Sequence, residues 1–471
     1  MSTTHPLHFH PLEGGKIQPR RTTGRYNSLR WLMVALTQAV FYGLCWLPWD
    51  GRQAVLFNLD ERKFYLFDLV LWPQDVLYLA LLLIIAAAAL FAVTAVAGRL
   101  FCGFVCPQTV YTALFMGIES RIEGDRAARL KLDASPWTGE KLLRRGGKHL
   151  AWLSLAAWTG VTFVGYFTPI RELLPSLGQF QSGPWEAFWV LFYGAFTYMQ
   201  AGFLREKVCQ HMCPYSRFQG VMFDPQTLNV GYDVLRGEPR GARREDGSAN
   251  SAISAAISPA TAQRKGDCVD CTLCVQVCPT GIDIRQGLQY ACISCGLCID
   301  ACNKVMDKIG LARGLIRFDS LQRLEQGITV PFRFWRPRVI AYTALISAMA
   351  VALVVGLAQR IPLRVDVLRE RNALAREVDD GWVENIYTVK LANMAEIPRR
   401  FKLAVSGLPG AHIEGPDEIA SGPGELTPVV LTVRARPEPE GRHARPLTLD
   451  VTALDAPDQV HVRETTPFLL P

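Results

Sequence analysis

The spacing of the cysteines is the clearest sign of a chemical function in this sequence. Residues 268–278 follow the pattern C-x2-C-x2-C-x3-C, and residues 292–302 repeat it. Three closely spaced thiolates on one loop can hold three iron corners of a [4Fe-4S] cube, while the fourth cysteine reaches the other cluster. The spacing therefore predicts two [4Fe-4S] clusters. The first is assigned to Cys268, Cys271, Cys274 and Cys302, and the second to Cys292, Cys295, Cys298 and Cys278.

Paired zinc ribbons are the alternative for these eight thiols. Zinc ribbons use two separated C-x2-C pairs, whereas this chain has triplets. The second quartet ends in Cys302-Asn303 where the first ends in Cys278-Pro279, but this difference leaves the number of ligands unchanged. The spacing favours iron-sulfur chemistry over zinc.

A second cysteine pattern, C-x3-C-P, also occurs twice, and the segments around its two copies correspond at a constant offset of 107 residues. Its cysteines are Cys102, Cys106, Cys209 and Cys213. Thiols at i and i+4 share one helical face, and the proline after each pair ends or kinks the helix. A two-fold repeat could bring four sulfurs around one soft metal ion, with His211 and Met212 as further candidate ligands. The alternative is simple packing of buried thiols, which two equivalent pairs disfavour.

The remaining candidates carry weaker signals. Cys45 lies inside an apolar stretch and is expected to pack there. His5, His8 and His10 could capture a metal ion, or could belong to a disordered tail. The sequence contains no C-x-x-C-H, which excludes covalent c-type haem, and no glycine-rich nucleotide fingerprint.

Apolar segments must position these cysteines. The chain has 471 residues, of which 49% are hydrophobic and 20% charged. Five stretches of about 20 residues are nearly free of charge, which is the length needed to cross a bilayer core. They are residues 31–49, 76–96, 150–170, 185–204 and 339–358. One such run could be a buried helix of a soluble protein, but five predict a membrane protein. The first starts too late and lacks the cleavage site of a signal peptide.

Lys and Arg residues predict the orientation. Residues 1–30 carry five of them against one acidic residue, and residues 98–149 carry nine, whereas the 171–184 loop has only Arg171. The positive-inside rule then places the N-terminus in the cytoplasm and, after five spans, the C-terminus in the periplasm of a bacterial inner membrane. Twelve of the thirteen cysteines fall on the reducing side, where clustered thiols bind metal more often than they form disulfides. The net charge of +7 reflects this face and does not indicate nucleic-acid binding.

The predicted fold class is a membrane protein with five transmembrane α-helices, a cytoplasmic two-[4Fe-4S] ferredoxin domain and a periplasmic Ig-like β-sandwich. Short alternating segments at 383–391, 401–405, 429–433 and 447–451 predict the sandwich. The predicted domains are 1–30, a cytoplasmic tail; 31–235, a four-helix membrane domain; 236–266, a flexible linker that gives the ferredoxin domain reach; 267–310, that domain; 311–338, a connector; 339–358, the fifth span; and 359–471, the Ig-like domain.

Several strings closely resemble the FixG/RdxA/CcoG family of accessory proteins for cbb(3)-type cytochrome oxidase maturation. They are residues 51–57 (Gly-Arg-Gln-Ala-Val-Leu-Phe), 72–75 (Trp-Pro-Gln-Asp), 98–103 (Gly-Arg-Leu-Phe-Cys-Gly), 106–109 (Cys-Pro-Gln-Thr), 231–233 (Gly-Tyr-Asp), 236–240 (Arg-Gly-Glu-Pro-Arg) and 274–285 (Cys-Val-Gln-Val-Cys-Pro-Thr-Gly-Ile-Asp-Ile-Arg). The resemblance covers nearly the whole chain. One departure is the Ser/Ala-rich stretch in the linker, which is longer than the family needs.

The resemblance implies reduction of Cu(II) to Cu(I) for the oxidase's binuclear centre. It also implies a periplasmic Ig-like domain and makes the C-x3-C-P cysteines the catalytic, copper-binding groups, with copper as substrate or transient ligand. Implied partners are copper-assembly proteins of the oxidase and an unidentified cytoplasmic electron donor. A homodimer becomes the expected geometry if the thiol pairs of one chain cannot meet.

Two other functions compete with copper reduction. A quinol-linked conduit subunit would also join C-x3-C-P spans to ferredoxin motifs and would pass electrons through the clusters. A non-catalytic copper scaffold is the third, but it has no need of one-electron carriers.

Overall fold

The computed structural model describes residues 16–241, 266–327, 335–370, 375–378, 381–436 and 444–470. His5, His8 and His10 and most of the predicted linker lie outside these ranges. The chain divides into two compact units, Met1–Ala350 and Val351–Pro471. Each unit is described by itself below.

The first unit is mainly helical. Its helices are α1 Arg25–Gly43, α2 Val76–Ala97, α3 Leu100–Phe104, α4 Pro107–Ile122, α5 Arg126–Ala134, α6 Gly139–Val164, α7 Ile170–Gly178, α8 Pro184–Met199, α9 Pro214–Met222, α10 Val234–Gly237, α11 Leu273–Gln276, α12 Leu297–Lys308, α13 Leu321–Gln326 and α14 Pro337–Ala358, the last of which continues into the second unit. Two π-helical turns, Gln200–Leu204 and Val208–Met212, follow α8.

Among the described residues, five helical segments are long and apolar enough to cross a membrane. They are Arg25–Trp46, Pro73–Ala97, Leu100–Ile122, Pro184–Leu204 and Pro337–Ala358. Four of them agree with the sequence prediction. The predicted span at 150–170 falls on α6 and the turn after it instead, and α6 is less apolar because it carries Lys148, His149 and several Ser and Thr residues.

Contacts along α6 show that it runs beside α1. The Tyr42 hydroxyl lies 2.9 Å from Thr159 Oγ1, and the Tyr166 hydroxyl donates to the carbonyl oxygen of Phe41 at 2.7 Å. On its other side α6 packs closely on α8 at Gly160, where a Cβ would clash with the carbonyl oxygen of Val190. Helix α6 therefore follows the length of two apolar helices.

The segment Leu100–Ile122, by contrast, has polar contacts with distant parts of the chain near both of its ends. It is broken at Cys106-Pro107, between α3 and α4. Arg99 at its start donates to the carbonyl oxygen of Ser216 at 2.9 Å, and Glu119 near its end accepts from Lys16 at 2.6 Å. These contacts favour α6 over this segment as a crossing helix.

The iron-sulfur region extends beyond residues 267–310. Strands β6 Leu228–Tyr232 and β7 Ile316–Ser320 pair antiparallel and contribute side chains to its core. The ends of the predicted linker are fixed, since Gly241 N donates to the carbonyl oxygen of Cys268 at 3.0 Å and Gly266 N to that of Pro239 at 2.9 Å. The two ends of the linker therefore lie close together. The prediction that the linker gives the ferredoxin region reach was wrong for this reason.

Five short strands lie between α1 and α2. They are β1 Pro48–Trp49, β2 Arg52–Gln53, β3 Val55–Asn58, β4 Lys63–Leu66 and β5 Leu69–Leu71. Strands β3, β4 and β5 form an antiparallel sheet. Phe57 N donates to the carbonyl oxygen of Tyr166 at 2.7 Å, which ties this sheet to the end of α6.

The second unit is a two-sheet β-sandwich, as predicted. Its strands are β8 Leu363–Arg369, β9 Arg376–Val378, β10 Trp382–Asn393, β11 Arg399–Ser406, β12 His412–Glu414, β13 Glu418–Ser421, β14 Leu426–Ala435, β15 Ala444–Ala453 and β16 His461–Leu469. One sheet has the order β12-β14-β10-β8, with β9 beside β10, and the other has the order β13-β11-β15-β16. Alternate residues point inward, so that Phe401, Leu431 and Val451 are fully buried between the sheets.

Candidate functional site

Two loops of the ferredoxin region have the same unusual backbone conformation. Asp270 and Thr272 have φ values of 54° and 53°, and the equivalent Ser294 and Gly296 have 52° and 74°. Left-handed residues at alternate positions turn the chain sharply on both sides of the cysteine between them, which is Cys271 in one loop and Cys295 in the other. The repeat seen in the sequence is therefore also a repeat of backbone geometry.

The first predicted ligand set lies around one cavity. Cys268, Cys271, Cys274 and Cys302 all line it. Burial raises the pKa of Cys274 to about 11 and that of Cys302 to about 12, and the nearby thiols add to the rise at Cys302. Buried thiols of this kind lose their protons when a metal binds.

The second predicted set is more deeply buried. Burial raises the pKa of Cys298, and the nearby thiols of Cys295, Cys292, Cys278 and Cys274 add to the rise, so the crossed assignment of Cys278 stays a prediction from the spacing. Burial raises the pKa of Cys292 to about 12, with Cys278 and Cys295 adding to the rise. The Sγ atom of Cys278 also lies 3.2 Å from Thr280 Oγ1.

Both quartets suit [4Fe-4S] clusters by the chemistry of their donors, which are four thiols each. In the part of the chain that the structure describes, no three His, Cys, Asp or Glu side chains are already placed to coordinate a metal ion. The ligand sets therefore rest on proximity, on the shared cavity and on the spacing.

The C-x3-C-P cysteines of one chain also come together. Cys106 and Cys213 precede the prolines that begin α4 and α9, and this breaks the helices beside the thiols. Burial raises the pKa of Cys209 to about 12, and the proximity of Cys106, Cys102 and Cys213 contributes to the rise. The two pairs therefore lie near one another within one chain, and among the described residues they do not form a ready-made metal site.

The two further ligands suggested by the sequence are less well placed. The side chain of Met212 is 59% exposed, and His211 is exposed as well. Gln219, which the sequence analysis did not select, accepts a hydrogen bond from Cys102 Sγ at 3.4 Å. The buried part of this site is thus made of thiols and one amide.

The four-thiol site packs directly on the second cluster loop. Cys102 contacts the apolar cluster that includes Ile293 and Cys295. A Cβ on Gly103 would lie 2.7 Å from the carbonyl oxygen of Ile293 and 3.0 Å from Cys295 Cα. Only glycine allows this approach, which places the second quartet next to the C-x3-C-P site.

Two buried arginines flank the same contact. Arg99, 4% exposed, donates to the carbonyl oxygen of Cys292 at 2.9 Å and also to that of Tyr290. Arg30, 7% exposed, interacts electrostatically with Cys295 and Cys278. A cluster bound by four thiolates is anionic, so these guanidinium groups would stabilise its charge. The sequence analysis counted both arginines only as topology signals, although Arg99 lies in the conspicuous string 98–103.

The ferredoxin region is also tied to the start of α1. The Asp300 carboxylate accepts hydrogen bonds from Tyr26 N at 3.2 Å and from Asn27 N at 2.8 Å. A carboxylate at a helix N-terminus satisfies free amide groups and complements the helix dipole. Arg20 N donates to the carbonyl oxygen of Gln276 at 2.7 Å. The region is therefore docked on the helices.

Replacing Gly103 by alanine is expected to loosen this docking. The new methyl group would meet backbone atoms of Ile293 and Cys295, which cannot rotate away, at a cost of about 1–3 kcal/mol. Hydrogen exchange of residues 290–298 should become faster by about 5-fold or more in the variant, since 1.4 kcal/mol corresponds to tenfold. Gly146→Ala in α6 is the matched control, because a Cβ there meets nothing within 4 Å. Equal exchange in both variants would contradict the tight contact.

Comparison with known proteins agrees with these sites. Residues 204–321 match the family described as 4Fe-4S dicluster domain, which covers both predicted quartets. Residues 79–124, which contain Cys102 and Cys106, match the family described as 4Fe-4S binding domain. Residues 353–471 match the IG-like fold at the C-terminal of FixG. The chain is thus a membrane-associated iron-sulfur electron-transfer protein.

Similar proteins extend over most of the chain. The nitrogen fixation protein FixG of Rhizobium meliloti (strain 1021) is 36% identical over 472 residues, which are 91% of this chain and 87% of that protein. Protein RdxA of Cereibacter sphaeroides is 39% identical over 414 residues, 85% of this chain and 84% of that protein. The match to a crystal structure of a FixG-related protein from Vibrio parahaemolyticus covers 23% of this chain and 97% of that chain. The two are 24% identical, and the TM-score is 0.21. By its identity to FixG and RdxA over this length, the chain belongs to the FixG/RdxA family.

Proposed function

We propose that this protein reduces Cu(II) to Cu(I) at its four C-x3-C-P thiols, with electrons from the iron-sulfur region, and supplies Cu(I) for assembly of a cbb(3)-type cytochrome oxidase. One observation carries the proposal. Cys102, Cys106, Cys209 and Cys213 lie near one another within one chain, and the close packing at Gly103 supports a contact between this region and the loop of the second quartet.

The thiol site has the chemistry that Cu(I) prefers. Soft thiolates bind Cu(I) more favourably than Cu(II), so such a site also biases the couple toward the reduced ion. Burial keeps the pKa of Cys209 at about 12, and the thiol therefore holds its proton at neutral pH until a metal displaces it. Copper capture should then release protons.

The contact between the second quartet and the four-thiol region supports delivery of single electrons to that site. A [4Fe-4S] cluster supplies one electron at a time when bound, which is what the conversion of Cu(II) to Cu(I) consumes. Arg99 fixes the second cluster loop to the four-thiol site, because it donates at 2.9 Å both to the carbonyl oxygen of Cys292 and to that of Ser216. Its burial keeps water out of this contact.

The proposal also includes the orientation in the membrane. The excess of Lys and Arg near Arg99, Lys148 and Arg205 supports a cytoplasmic location for the clusters and the N-terminus in a bacterial inner membrane. With α1, α2, α6, α8 and α14 as the five crossings, the Ig-like unit would lie in the periplasm. The electron donor would then be cytoplasmic, and copper-assembly proteins would receive the product.

Anaerobic reduction of Cu(II) by the purified protein tests this function. With its clusters chemically reduced, the protein should form about two Cu(I) per chain, as the cluster absorbance returns to its oxidised form. The iron content should be about eight per chain. A chelator specific for Cu(I) measures the product. Clusters that stay reduced in the presence of Cu(II) would contradict copper reduction.

An iron-sulfur cluster bound at the four-thiol site, in place of copper, would also count against the proposal. The match of residues 79–124 to a 4Fe-4S binding domain falls on one of its cysteine pairs. About twelve iron atoms per chain would mean that these thiols hold a third cluster instead of copper. Reoxidation of the clusters by a quinone analogue but not by Cu(II) would then favour the quinol-linked conduit.

A further inference from the structure

A cavity with a volume of about 360 Å³ opens beside the end of α8, and its lining is strongly basic. Among the described residues, Glu206 is the one acidic residue of its lining. The basic lining residues, besides His149, are Lys16, Arg145, Lys148, Arg205 and Lys207. We call this the cationic cavity. Neither the cluster cysteines nor the C-x3-C-P cysteines line it.

The charges behind the lining do not neutralise it. Glu119 is fully buried and is shared by four cations. Its carboxylate lies 2.6 Å from Lys16, 2.8 Å from Arg205, 3.4 Å from Arg129 and 3.8 Å from Lys148. Lys148 and Arg205 are themselves only 2% and 3% exposed. Three of these cations are buried, whereas Lys16 is 42% exposed. One carboxylate does not balance three buried cations, and an uncompensated buried charge is costly.

The next carboxylate is shared as well. Glu123, 1% exposed, lies 2.9 Å from Lys148 Nζ and 3.1 Å from Arg145 Nη1. Arg145 also pairs with Asp133 at the rim. An anion in the cationic cavity would provide the negative charge that this network lacks.

Arg205, which lines the cavity, carries a buried N–H group that has no hydrogen-bond acceptor among the described residues. This group is on its Nη1 atom. The rest of the residue is held in place, since Nε donates to the carbonyl oxygen of Gly202 at 2.9 Å and its own carbonyl accepts from Gln108 at 3.0 Å. A buried, fixed guanidinium with an unsatisfied N–H suits a phosphate oxygen.

The position of the cavity indicates where the phosphate would come from. The apolar segment Pro184–Leu204 ends directly before Arg205, so the cavity lies where the lipid-facing surface stops. Above it, large apolar side chains of α6 and α8 are open, including Leu150 at 68%, Leu153 at 49% and Met199 at 49% exposure. Phe203 at the rim is 52% exposed and stacks on His149. Acyl chains could lie along these helices while their headgroup enters the cavity.

We propose that the cationic cavity binds the phosphate of an anionic phospholipid. Basic pockets between membrane helices recognise such headgroups, and each nearby Lys or Arg contributes to binding. A soluble phosphate ester would offer the same charge and oxygens. The apolar surface that continues from the cavity favours the lipid. This proposal does not depend on copper reduction.

Binding of phosphatidylglycerol to the purified, delipidated full-length protein tests the proposal. Native mass spectrometry and the rise in unfolding temperature on titration should both show saturable binding, and phosphatidylcholine should give neither. Lys207→Gln should weaken phosphatidylglycerol binding about 5-fold. Lys207 is exposed, so the variant should keep its fold and its iron. Lys131→Gln is the matched control, because Lys131 is an exposed lysine of α5 that does not line the cavity.

Three results would overturn the proposal. Equal binding of phosphatidylglycerol and phosphatidylcholine would show that charge is not recognised. Equal weakening by Lys207→Gln and Lys131→Gln would place the effect on the general surface charge. Stabilisation by glycerol 3-phosphate alone, lost in Lys207→Gln, would assign the cavity to a soluble phosphate ester.

Discussion

Replacing Cys209 and Cys213 by serine is expected to abolish copper reduction and to leave both iron-sulfur clusters in place. Serine keeps the size of the side chain but removes the soft donor that Cu(I) requires. Mutation of a residue that only hydrogen-bonds to a metal ligand typically lowers metal affinity or activity by about 10–100-fold. Loss of two ligands should therefore lower the rate of Cu(I) formation by more than about 100-fold. Formation of Cu(I) by the chemically reduced protein measures the effect.

Cys45→Ser is the matched control for this double variant. Cys45 is 1% exposed, and its thiol donates only to the carbonyl oxygen of Tyr42, at 3.4 Å. The control should retain both copper reduction and about eight iron atoms per chain. Full copper reduction by the Cys209/Cys213 variant, with unchanged iron, would remove these thiols from the mechanism.

The cysteine chemistry could be predicted from the sequence because spacing alone constrains it. Three thiols, each two residues apart from the next, can bind three iron atoms of one cluster. The same pattern predicts that Cys278 and Cys302 each bind the cluster of the other quartet. The structure places Cys302 in the first cavity, with Cys268, Cys271 and Cys274. The sandwich was predictable for a similar reason, since alternation of apolar residues along β10 and β14 reports the buried face.

The membrane helices were harder to predict because apolarity measures composition and not position. Leu100–Ile122 is apolar enough to cross a membrane, yet Arg99 and Glu119, near its two ends, make polar contacts with Ser216 and Lys16. Helix α6 carries polar residues that its neighbours satisfy, such as Thr159 beside Tyr42. Only these long-range contacts distinguish the two segments.

Docking of the ferredoxin region was not predictable from local patterns at all. Asp300 reads in the sequence as an ordinary acidic residue of a surface helix, but it is buried and caps α1. Nothing in the sequence distinguishes Gly103 from the other glycines, but its lack of a Cβ allows the second cluster loop to pack against it. Each role depends on a partner far away in the chain. A linker with both ends fixed then replaces the mobile tether that its composition suggested.

This docking predicts that the two quartets are not equivalent in copper reduction. Cys278→Ser should remove the cluster next to the four-thiol site, and Cys302→Ser should remove the other one. Both variants should fall from about eight to about four iron atoms per chain. After chemical reduction of the remaining cluster, Cys302→Ser should still form about one Cu(I) per chain. Cys278→Ser should form Cu(I) only at the background rate.

The difference arises because the second quartet contacts the proposed copper site, through the packing of Cys102 and Gly103 on Ile293 and Cys295. Each variant serves as the other's control, since both lose one ligand and one cluster from the same region. Hydrogen exchange at the Asp300 cap of α1 reports whether the region stays docked in each. Equal copper reduction by the two docked variants would mean that electrons reach copper without passing from the second quartet, and the proposed order of transfer would be wrong.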